Sequence, residues 1–219
     1  MNVKEVYQMS NDAIYIDKID TETLLIPIVG TAPLIVHNFG EKSKRQMLEA
    51  QQGRKKAKEL RDPEGEYLSS LYRLVDEGGV ETYGFPVTAF KAATVGAARF
   101  YGKQLKMTEL RQFMFFRGVL TPGDPQQLVP LEGEPRMRED VVRLAGMGRP
   151  ADLRYRAEFP VWGAVLEVTY VRTSLARESV LSLVNAGGLG VGVGEWRPEK
   201  RGEFGTFEVD PGREIQVIA

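Results

Sequence analysis

The apolar positions near the N-terminus form an almost continuous run and not a helical pattern. Strand-forming residues dominate positions 23–36, and Pro27 together with residues 30–33 interrupts the run. This pattern predicts a strand at about residues 24–29, followed by a turn and a short extended piece that ends at His37.

Helix-forming residues dominate the next part of the chain. Lys, Arg, Gln and Glu are frequent from residue 41 to about residue 61, which predicts a long helix that residues 62–65 break. A second helix is predicted over residues 67–75. A third is predicted to run from Thr88, a suitable N-cap, to about Tyr101.

Alternating apolar and polar positions return in the second half of the chain. Residues 153–161 and 164–171 each alternate, which predicts two strands. Trp162 and Gly163 lie between the two segments and are interpreted as the tip of a hairpin that joins them.

The last part of the chain predicts one helix and two strands. The helix is predicted to begin at the N-cap Ser174 and to end near residue 185. Residues 204–209 and 214–218 follow as strand-like segments.

The predicted order of elements is strand, helical region, two strands, helix and strand. This is the β-α-β-β-α-β pattern of ferredoxin-like domains. The sequence therefore predicts an α+β fold in a single domain over residues 1–219. Residues 41–150 are predicted to be a large, helical and irregular insertion after the first strand.

Composition limits the chemistry that the chain can perform. Its 219 residues include no cysteine and one histidine, which excludes disulfides and a zinc site of the Cys/His kind. Without a long apolar run or a signal-peptide pattern, a cytoplasmic protein with no membrane partner is predicted. The net charge of −1 means that binding of nucleic acid would depend on local basic patches. No cofactor and no metal are predicted.

A glycine-rich segment carries the strongest local signal. Five glycines lie within residues 187–194, where they permit positive φ and close approach of the backbone to a ligand. Exposed N–H groups in such a segment form sites for anions such as phosphate. Trp196, Arg197, Lys200 and Arg201 follow, a mixture that suits a polyanion with flat bases. The alternative interpretation is a flexible surface turn.

Three separated motifs resemble one known family. Residues 30–34 read Gly-Thr-Ala-Pro-Leu, residues 85–93 read Phe-Pro-Val-Thr-Ala-Phe-Lys-Ala-Ala and continue to Arg99, and residues 187–190 and 202–207 supply a glycine-rich loop and a Gly-Glu-Phe-Gly strand. Their order and spacing resemble the RAMP superfamily of CRISPR-associated RNA-binding proteins, especially its backbone-subunit type.

Two departures from the family pattern affect these motifs. Ala92 stands where the family has a glycine after the lysine, and residues 195–200 lengthen the glycine-rich loop. The charged segment 136–143 matches no part of the family pattern.

The resemblance implies binding of single-stranded nucleic acid, often RNA, along a positively charged groove. Lys91 is the main candidate for a phosphate contact, because the first turn of a helix already favours an anion. Arg99 lies two turns further on, near the same face. The alternative for Lys91 is a solvated surface lysine.

Further basic residues and the glycines extend the candidate site. The basic residues of the predicted helix at 41–61 are an electrostatic footprint for phosphates or, alternatively, a solvated helix face. The remaining candidates for contact with nucleic acid are Lys42, Lys44, Arg45, Arg54, Lys55, Arg154, Arg156, Gly188, Gly190, Gly192, Arg197, Lys200 and Arg201.

Trp196 is the main candidate for base stacking. A base stacked on an aromatic ring contributes about 1–3 kcal/mol to binding. The alternative is that its ring anchors the glycine-rich loop to the domain core or to a neighbouring subunit.

His37 supports an enzymatic alternative. RNA-processing members of the superfamily place a histidine near the end of the first strand, and the ordinary pKa of histidine suits general acid–base catalysis. The main prediction is a binding protein without catalysis that assembles head-to-tail along single-stranded RNA or DNA, as a homo-oligomer or as a subunit of a ribonucleoprotein. The alternatives are a metal-independent endoribonuclease using His37 and a structural subunit of a virus particle or complex.

Overall fold

The fold is described by a computed structural model for residues 16–38, 48–49, 51–52, 60–75, 78–121, 126–143, 148 and 151–218. The strands are β1 (Thr21–Gly30), β2 (Leu34–Val36), β3 (Tyr72–Val75), β4 (Glu81–Pro86), β5 (Met114–Arg117), β6 (Val119–Leu120), β7 (Gln127–Glu132), β8 (Arg136–Arg143), β9 (Ala151–Phe159), β10 (Gly163–Val171), β11 (Phe207–Val209) and β12 (Gln216–Ile218). The α-helices are α1 (Pro63–Ser70), α2 (Val87–Gly96), α3 (Met107–Phe113) and α4 (Arg177–Gly190). Short 3₁₀-helices cover Ala97–Gln104 and Pro198–Lys200.

The strands form two antiparallel sheets that share one core. The large sheet has the order β11-β1-β10-β7-β4-β3, with β12 beside β1, β5 beside β10 and β6 beside β7. The small sheet has the order β2-β9-β8. Helices α2 and α4 pack against each other, and their buried side chains join those of both sheets in one hydrophobic cluster. The predicted α+β class is confirmed.

Trp162 is a buried core residue and not the tip of a hairpin. Strands β9 and β10 lie in different sheets, and the Trp162 side chain between them is 2% exposed. Its Nε1 donates to the carbonyl of Ala32 at 2.8 Å, and its carbonyl accepts from the N–H of Gly30 at 2.8 Å. Phe90 and Phe207 pack against the ring. The hairpin prediction was wrong because burial of this large ring outweighs local pairing of two alternating segments.

The helix predicted over residues 67–75 begins earlier and ends earlier. Asp62 caps α1, because its carboxylate accepts from the N–H of Gly65 at 3.0 Å, and Pro63 occupies the first turn. Asp followed by Pro is a helix start signal, which the sequence interpretation had read as a break. Residues 72–75 form β3 instead.

The third helix also differs from its prediction at both ends. Strand β4 continues to Pro86, which precedes α2, and the side chain of Thr88 caps nothing. After Gly96 the chain tightens into the first 3₁₀-helix and does not continue as a regular α-helix to Tyr101. A proline fixes φ near the helical value and lacks an N–H, so it suits the entry to a helix.

Residues 102–150 contain more strand than the sequence indicated. Their described part holds α3 and the strands β5–β8, which are too short or too charged to give a clear periodic signal. The helix predicted at 41–61 lies outside the described residues except for 48–49, 51–52 and 60–61. The domain limits of 1–219 and 41–150 remain predictions.

Helix α4 includes the first three glycines of the glycine-rich segment. It begins three residues after the predicted N-cap Ser174 and extends through Gly190, beyond the predicted end near residue 185. A Cβ on Gly187 would lie 2.7 Å from the carbonyl carbon of Ala93 in α2, and one on Gly188 would clash with the carbonyl of Phe207. Glycine is required here because neighbouring backbones approach closely.

We predict that Gly187→Ala lowers the free energy of unfolding by about 1–3 kcal/mol through overpacking against α2. The sign of this change in the free energy of unfolding is informative, because alanine in an unobstructed helix is favoured over glycine by about 1 kcal/mol. Urea denaturation measures the change. Leu189→Ala, at a 75% exposed position of the same helix, is the matched control and is expected to be nearly neutral. A stabilised Gly187→Ala protein would contradict the close contact between the two helices.

Candidate nucleic-acid interface

A cleft of about 290 Å³ opens where β2 ends, beside α2 and the segment 191–199. Its lining includes His37, which follows β2, and Thr88, Ala89 and Ala92 on one face of α2. Residues that lie far apart in the sequence, near each of the three motifs, therefore meet at one opening. We refer to this opening as the cleft and to residues 191–199 as the C-terminal segment.

Two glycines of the C-terminal segment have positive φ. The values are 68° at Gly192 and 78° at Gly194, a region that favours glycine. A Cβ on Gly194 would lie 2.6 Å from the carbonyl oxygen of Ile35, so the segment approaches β2 closely. Gly188 and Gly190 are helical, and of these two only Gly190 is partly exposed.

Several backbone amides of the C-terminal segment donate hydrogen bonds within the protein. The N–H of Gly192 donates to the end of α4 at 2.8 Å, and that of Val193 donates to the carbonyl of Gly205 at 2.9 Å. The N–H of Glu195 donates to the carbonyl of Ile35 at 3.0 Å. These donors are occupied, so this part of the segment forms a wall of the cleft and not a cradle of free N–H groups.

Arg156 joins the small sheet to the C-terminal segment. Its guanidinium lies 2.6 Å from the Asp140 carboxylate on β8 and 3.5 Å from that of Glu195. The Arg156 and Asp140 side chains are 2% and 6% exposed. The guanidinium also lies 4.9 Å from the centre of the Trp196 ring. The Arg156 guanidinium therefore contacts two carboxylates and one aromatic ring, and it is not available to contact a ligand.

The ion pairs continue across β8 and β9. Arg138 bonds to both Asp140 and Glu158, and the carboxylate of Glu158 also accepts from Arg136. The Arg138 guanidinium lies 4.8 Å from the centre of the Phe204 ring. Cations over aromatic faces and charge-assisted hydrogen bonds together fix the outer face of the small sheet against the segment.

Trp196 has a strained backbone, and its ring lies against other side chains of the protein. Its φ of 51° is unusual for a bulky residue. The ring lies near Arg156, near Arg138 at 5.6 Å and near Phe204 at 6.1 Å, and it does not line the cleft. This position fits the anchoring alternative for Trp196.

His37 lines the cleft with a weakly basic imidazole. Burial lowers the pKa of His37 below its usual range; the carboxylate of Glu195 opposes this, and the nearby Arg156 and Arg154 add to it. Nδ1 lies 3.9 Å from the Glu195 carboxylate. At neutral pH the imidazole is therefore uncharged. It can accept or donate a hydrogen bond in the cleft.

Arg197, Glu199 and Arg99 form a connected group at the cleft. Arg197 donates to the Glu199 carboxylate at 2.9 Å and to the Gly194 carbonyl at 3.0 Å. Arg99 reaches the same carboxylate at 3.4 Å. Hydrogen bonding by Arg197 is the main cause that lowers the pKa of Glu199, which burial alone would raise. Two cations share one carboxylate here, so this group carries a net positive charge.

Other predicted residues lie elsewhere. The Lys91 ammonium donates to the carbonyl of Arg111 at 3.2 Å and lies 5.5 Å from the centre of the Phe115 ring, outside the cleft lining. Lys200 and Arg201 are exposed beyond it. Arg154 is half-buried, and in the part of the chain that the structure describes it makes no salt bridge.

Five predicted residues lie outside the described part of the chain. They are Lys42, Lys44, Arg45, Arg54 and Lys55.

Sequence reasoning did not identify Asp140, Glu158 and Glu195 as functional partners. The adjacent acids and flanking arginines of residues 138–140 are typical of local ion pairs, as the sequence indicates. The partners of these acids depend on the pairing of β8 with β9, which places Asp140 opposite Arg154 and Arg138 opposite Arg156 and which no local pattern specifies.

The described residues contain neither a candidate metal site nor a candidate membrane span. No group of three or more His, Cys, Asp or Glu side chains among them could hold a metal ion. No helix within the same residues is long and apolar enough to cross a membrane.

Two solved structures are similar to this chain. Cmr6 from Pyrococcus furiosus is 10% identical with a TM-score of 0.42, over 88% of this chain and 100% of that chain. A chain of the Type III-B Cmr-beta structure bound to cognate target RNA is 11% identical with a TM-score of 0.49, over 90% of this chain and 61% of that chain. No protein-family model and no curated protein matches the chain.

We predict that Arg156→Met lowers the free energy of unfolding by about 3–5 kcal/mol, because it leaves the buried Asp140 carboxylate without its closest cation. Chemical denaturation measures the change, and adding Asp140→Asn is expected to recover part of it. Arg73→Met is the matched control, since the paired Arg73 and Glu81 side chains are 42% and 67% exposed and loss of this pair costs under about 1 kcal/mol. Equal losses of stability in the two Arg→Met variants would contradict the buried ion pair between Arg156 and Asp140.

Proposed function

We propose that this protein binds single-stranded RNA in the cleft, as a subunit of a ribonucleoprotein. One observation carries the proposal: the end of β2, one face of α2 and the C-terminal segment line a single opening. The helix of the second motif lines this opening, together with His37, which follows the first motif, and residues 191–199, which lie between the two parts of the third motif. Head-to-tail assembly along the strand and the absence of catalysis belong to the same proposal.

The surface of the cleft suits a sugar-phosphate backbone. Ala89 and Ala92 present little side-chain bulk, which allows a ligand to approach α2 closely. Thr88 supplies an exposed hydroxyl beside them. A hydroxyl of this kind can bond to phosphate or to a ribose 2′-hydroxyl.

Local charge supports binding of a polyanion despite the nearly neutral chain. Arg197 lies in the cleft lining, Arg99 lies beside it, and Arg154 is close enough to depress the pKa of His37. The acids Glu195 and Glu199 are each within 4 Å of arginine nitrogens, which offsets their repulsion of phosphate. Binding is therefore expected to depend on a few cations and on salt.

The order of strands supports the finer fold proposal. The neighbouring strands β11, β1, β10 and β7 are antiparallel, and α2 and α4 pack together against the same core. This arrangement is compatible with a ferredoxin-like unit in which the small sheet and β3–β6 are additions.

Cleavage by His37 is the second candidate. The neutral imidazole lines the cleft, and the Glu195 carboxylate lies 3.9 Å from Nδ1, so Glu195 would orient a general base. This candidate needs the same bound strand as the first.

We predict that Ala92→Glu weakens binding of RNA by about tenfold or more, because a carboxylate in the cleft repels phosphate. Fluorescence polarisation with labelled single-stranded RNA and DNA, over a salt series, measures the affinity. Ser179→Glu is the matched control, since Ser179 is an exposed residue in the first turn of α4, where an acid is tolerated. The proposal fails if no salt-dependent binding occurs, or if both variants bind equally.

The same complexes, incubated with a chelator and separated on a denaturing gel, test the second candidate. Intact RNA is expected for a binding protein without catalysis. RNA that is cut by the wild-type protein and left whole by His37→Ala would favour the endoribonuclease instead.

A further inference from the structure

Phe100 is an exposed aromatic residue that lies against the end of α4. It lies in the first 3₁₀-helix, directly after Arg99, and its side chain is 54% exposed. Its neighbour Tyr101 is 37% exposed. Neither residue belongs to the hydrophobic cluster or to the partly buried side chains packed on it. Packing of the core therefore does not account for two adjacent aromatic rings at this position.

The contacts of Phe100 place it next to the C-terminal segment. A Cβ on Gly190 would meet the Cζ end of the Phe100 ring, so the ring lies against the last residue of α4. Val191, the next residue, lines the cleft. Arg99 reaches Glu199, another residue of the cleft lining, at 3.4 Å. The ring thus lies against the residue that precedes the C-terminal segment, and its neighbour Arg99 contacts a residue of the cleft lining.

Both aromatic residues are held in place from one side. The Tyr101 hydroxyl donates to the carbonyl of Ser182 in α4 at 3.3 Å, while Phe100 lies against Gly190. A ring that is already positioned loses little conformational freedom when a ligand binds. Glycine at position 190 is what allows this close approach.

The charge around Phe100 is complementary to a nucleic acid. Lys103 lies three residues after Phe100, beyond a kink at Gly102, and Lys200 follows Glu199; both are exposed. Neither lysine forms a salt bridge with any residue that the structure describes. An aromatic surface flanked by available cations is the arrangement by which proteins bind single strands without reading sequence.

Other aromatic residues are less available for stacking. The Trp196 ring faces Arg156, and the Phe115 ring, although 45% exposed, has the Lys91 ammonium 5.5 Å from its centre. Phe100 has no cation over its ring among the described residues.

We propose that Phe100 is a stacking platform for a base of the strand as it leaves the cleft past Arg99. The inference rests on the proposed function and extends it, since it assigns a second contact site beyond the cleft. Stacking predicts little preference among bases, because every base presents a π-face. It also predicts that only strands long enough to pass Arg99 gain from the platform.

The test compares a short and a long single-stranded RNA. A trinucleotide is the short probe, which we expect the cleft to hold, and an oligomer of about 12 nucleotides is the long probe, which is long enough to reach the platform as well. Phe100→Leu, which keeps an apolar side chain on Gly190 but removes the flat ring, is expected to weaken binding of the long RNA by roughly 5- to 150-fold. Affinity for the trinucleotide is expected to stay unchanged. Phe100→Trp is expected to retain affinity for the long RNA.

Phe115→Leu is the matched control, because it makes the same change at another exposed aromatic residue. A base analogue, 2-aminopurine, placed at successive positions of the long RNA reports stacking directly, and its quenching is expected to be lost at one position in Phe100→Leu. Unchanged affinity for the long RNA in Phe100→Leu, with the wild-type protein binding normally, would overturn the platform and leave the cleft proposal standing. If the wild-type protein binds neither RNA, the proposed function itself fails.

Discussion

Burial of the Arg156 guanidinium is the constraint on which the rest of the site depends. An arginine removed from water is costly unless carboxylates and hydrogen bonds surround it. Here Asp140 comes from β8 and Glu195 from the C-terminal segment, while the Trp196 ring lies beside the guanidinium. Satisfying this one cation therefore requires β8, β9 and the segment to be in place together, which fixes one wall of the cleft.

Close backbone contacts fix the other parts of the same wall. Gly187 and Gly188 let α4 approach α2 and β11, and Gly194 lets the segment approach β2. The glycines thus serve packing and chain reversal, while the amides of Gly192, Val193 and Glu195 donate hydrogen bonds within the protein. A ligand in the cleft meets side chains and small residues, so its recognition depends on Arg197, Arg99 and neighbouring cations instead of a nest of N–H groups.

Local patterns predicted some elements well, because those elements depend on local chemistry. The apolar run around Pro27 predicted β1 and β2, and the alternation of apolar and polar residues through Arg154 and Arg156 predicted β9. Contacts between distant residues decided the rest. Burial of Trp162 separates β9 from β10, and the tight contact between α4 and α2 makes glycine favourable inside a helix. Of the residues predicted for the site, His37, Gly192 and Arg197 meet at the cleft. The ion pair between Arg156 and Asp140 depends on a strand pairing that no local pattern specifies.

The central claim is that the C-terminal segment is a preformed wall and not a loop that closes on phosphate. Backbone amide hydrogen exchange, resolved at Gly192, Val193 and Glu195 without and with single-stranded RNA, tests it most directly. The account predicts slow exchange at all three amides in the free protein, with little further change when RNA binds, because their acceptors lie within the protein. Fast exchange in the free protein, followed by strong protection with RNA, would contradict it.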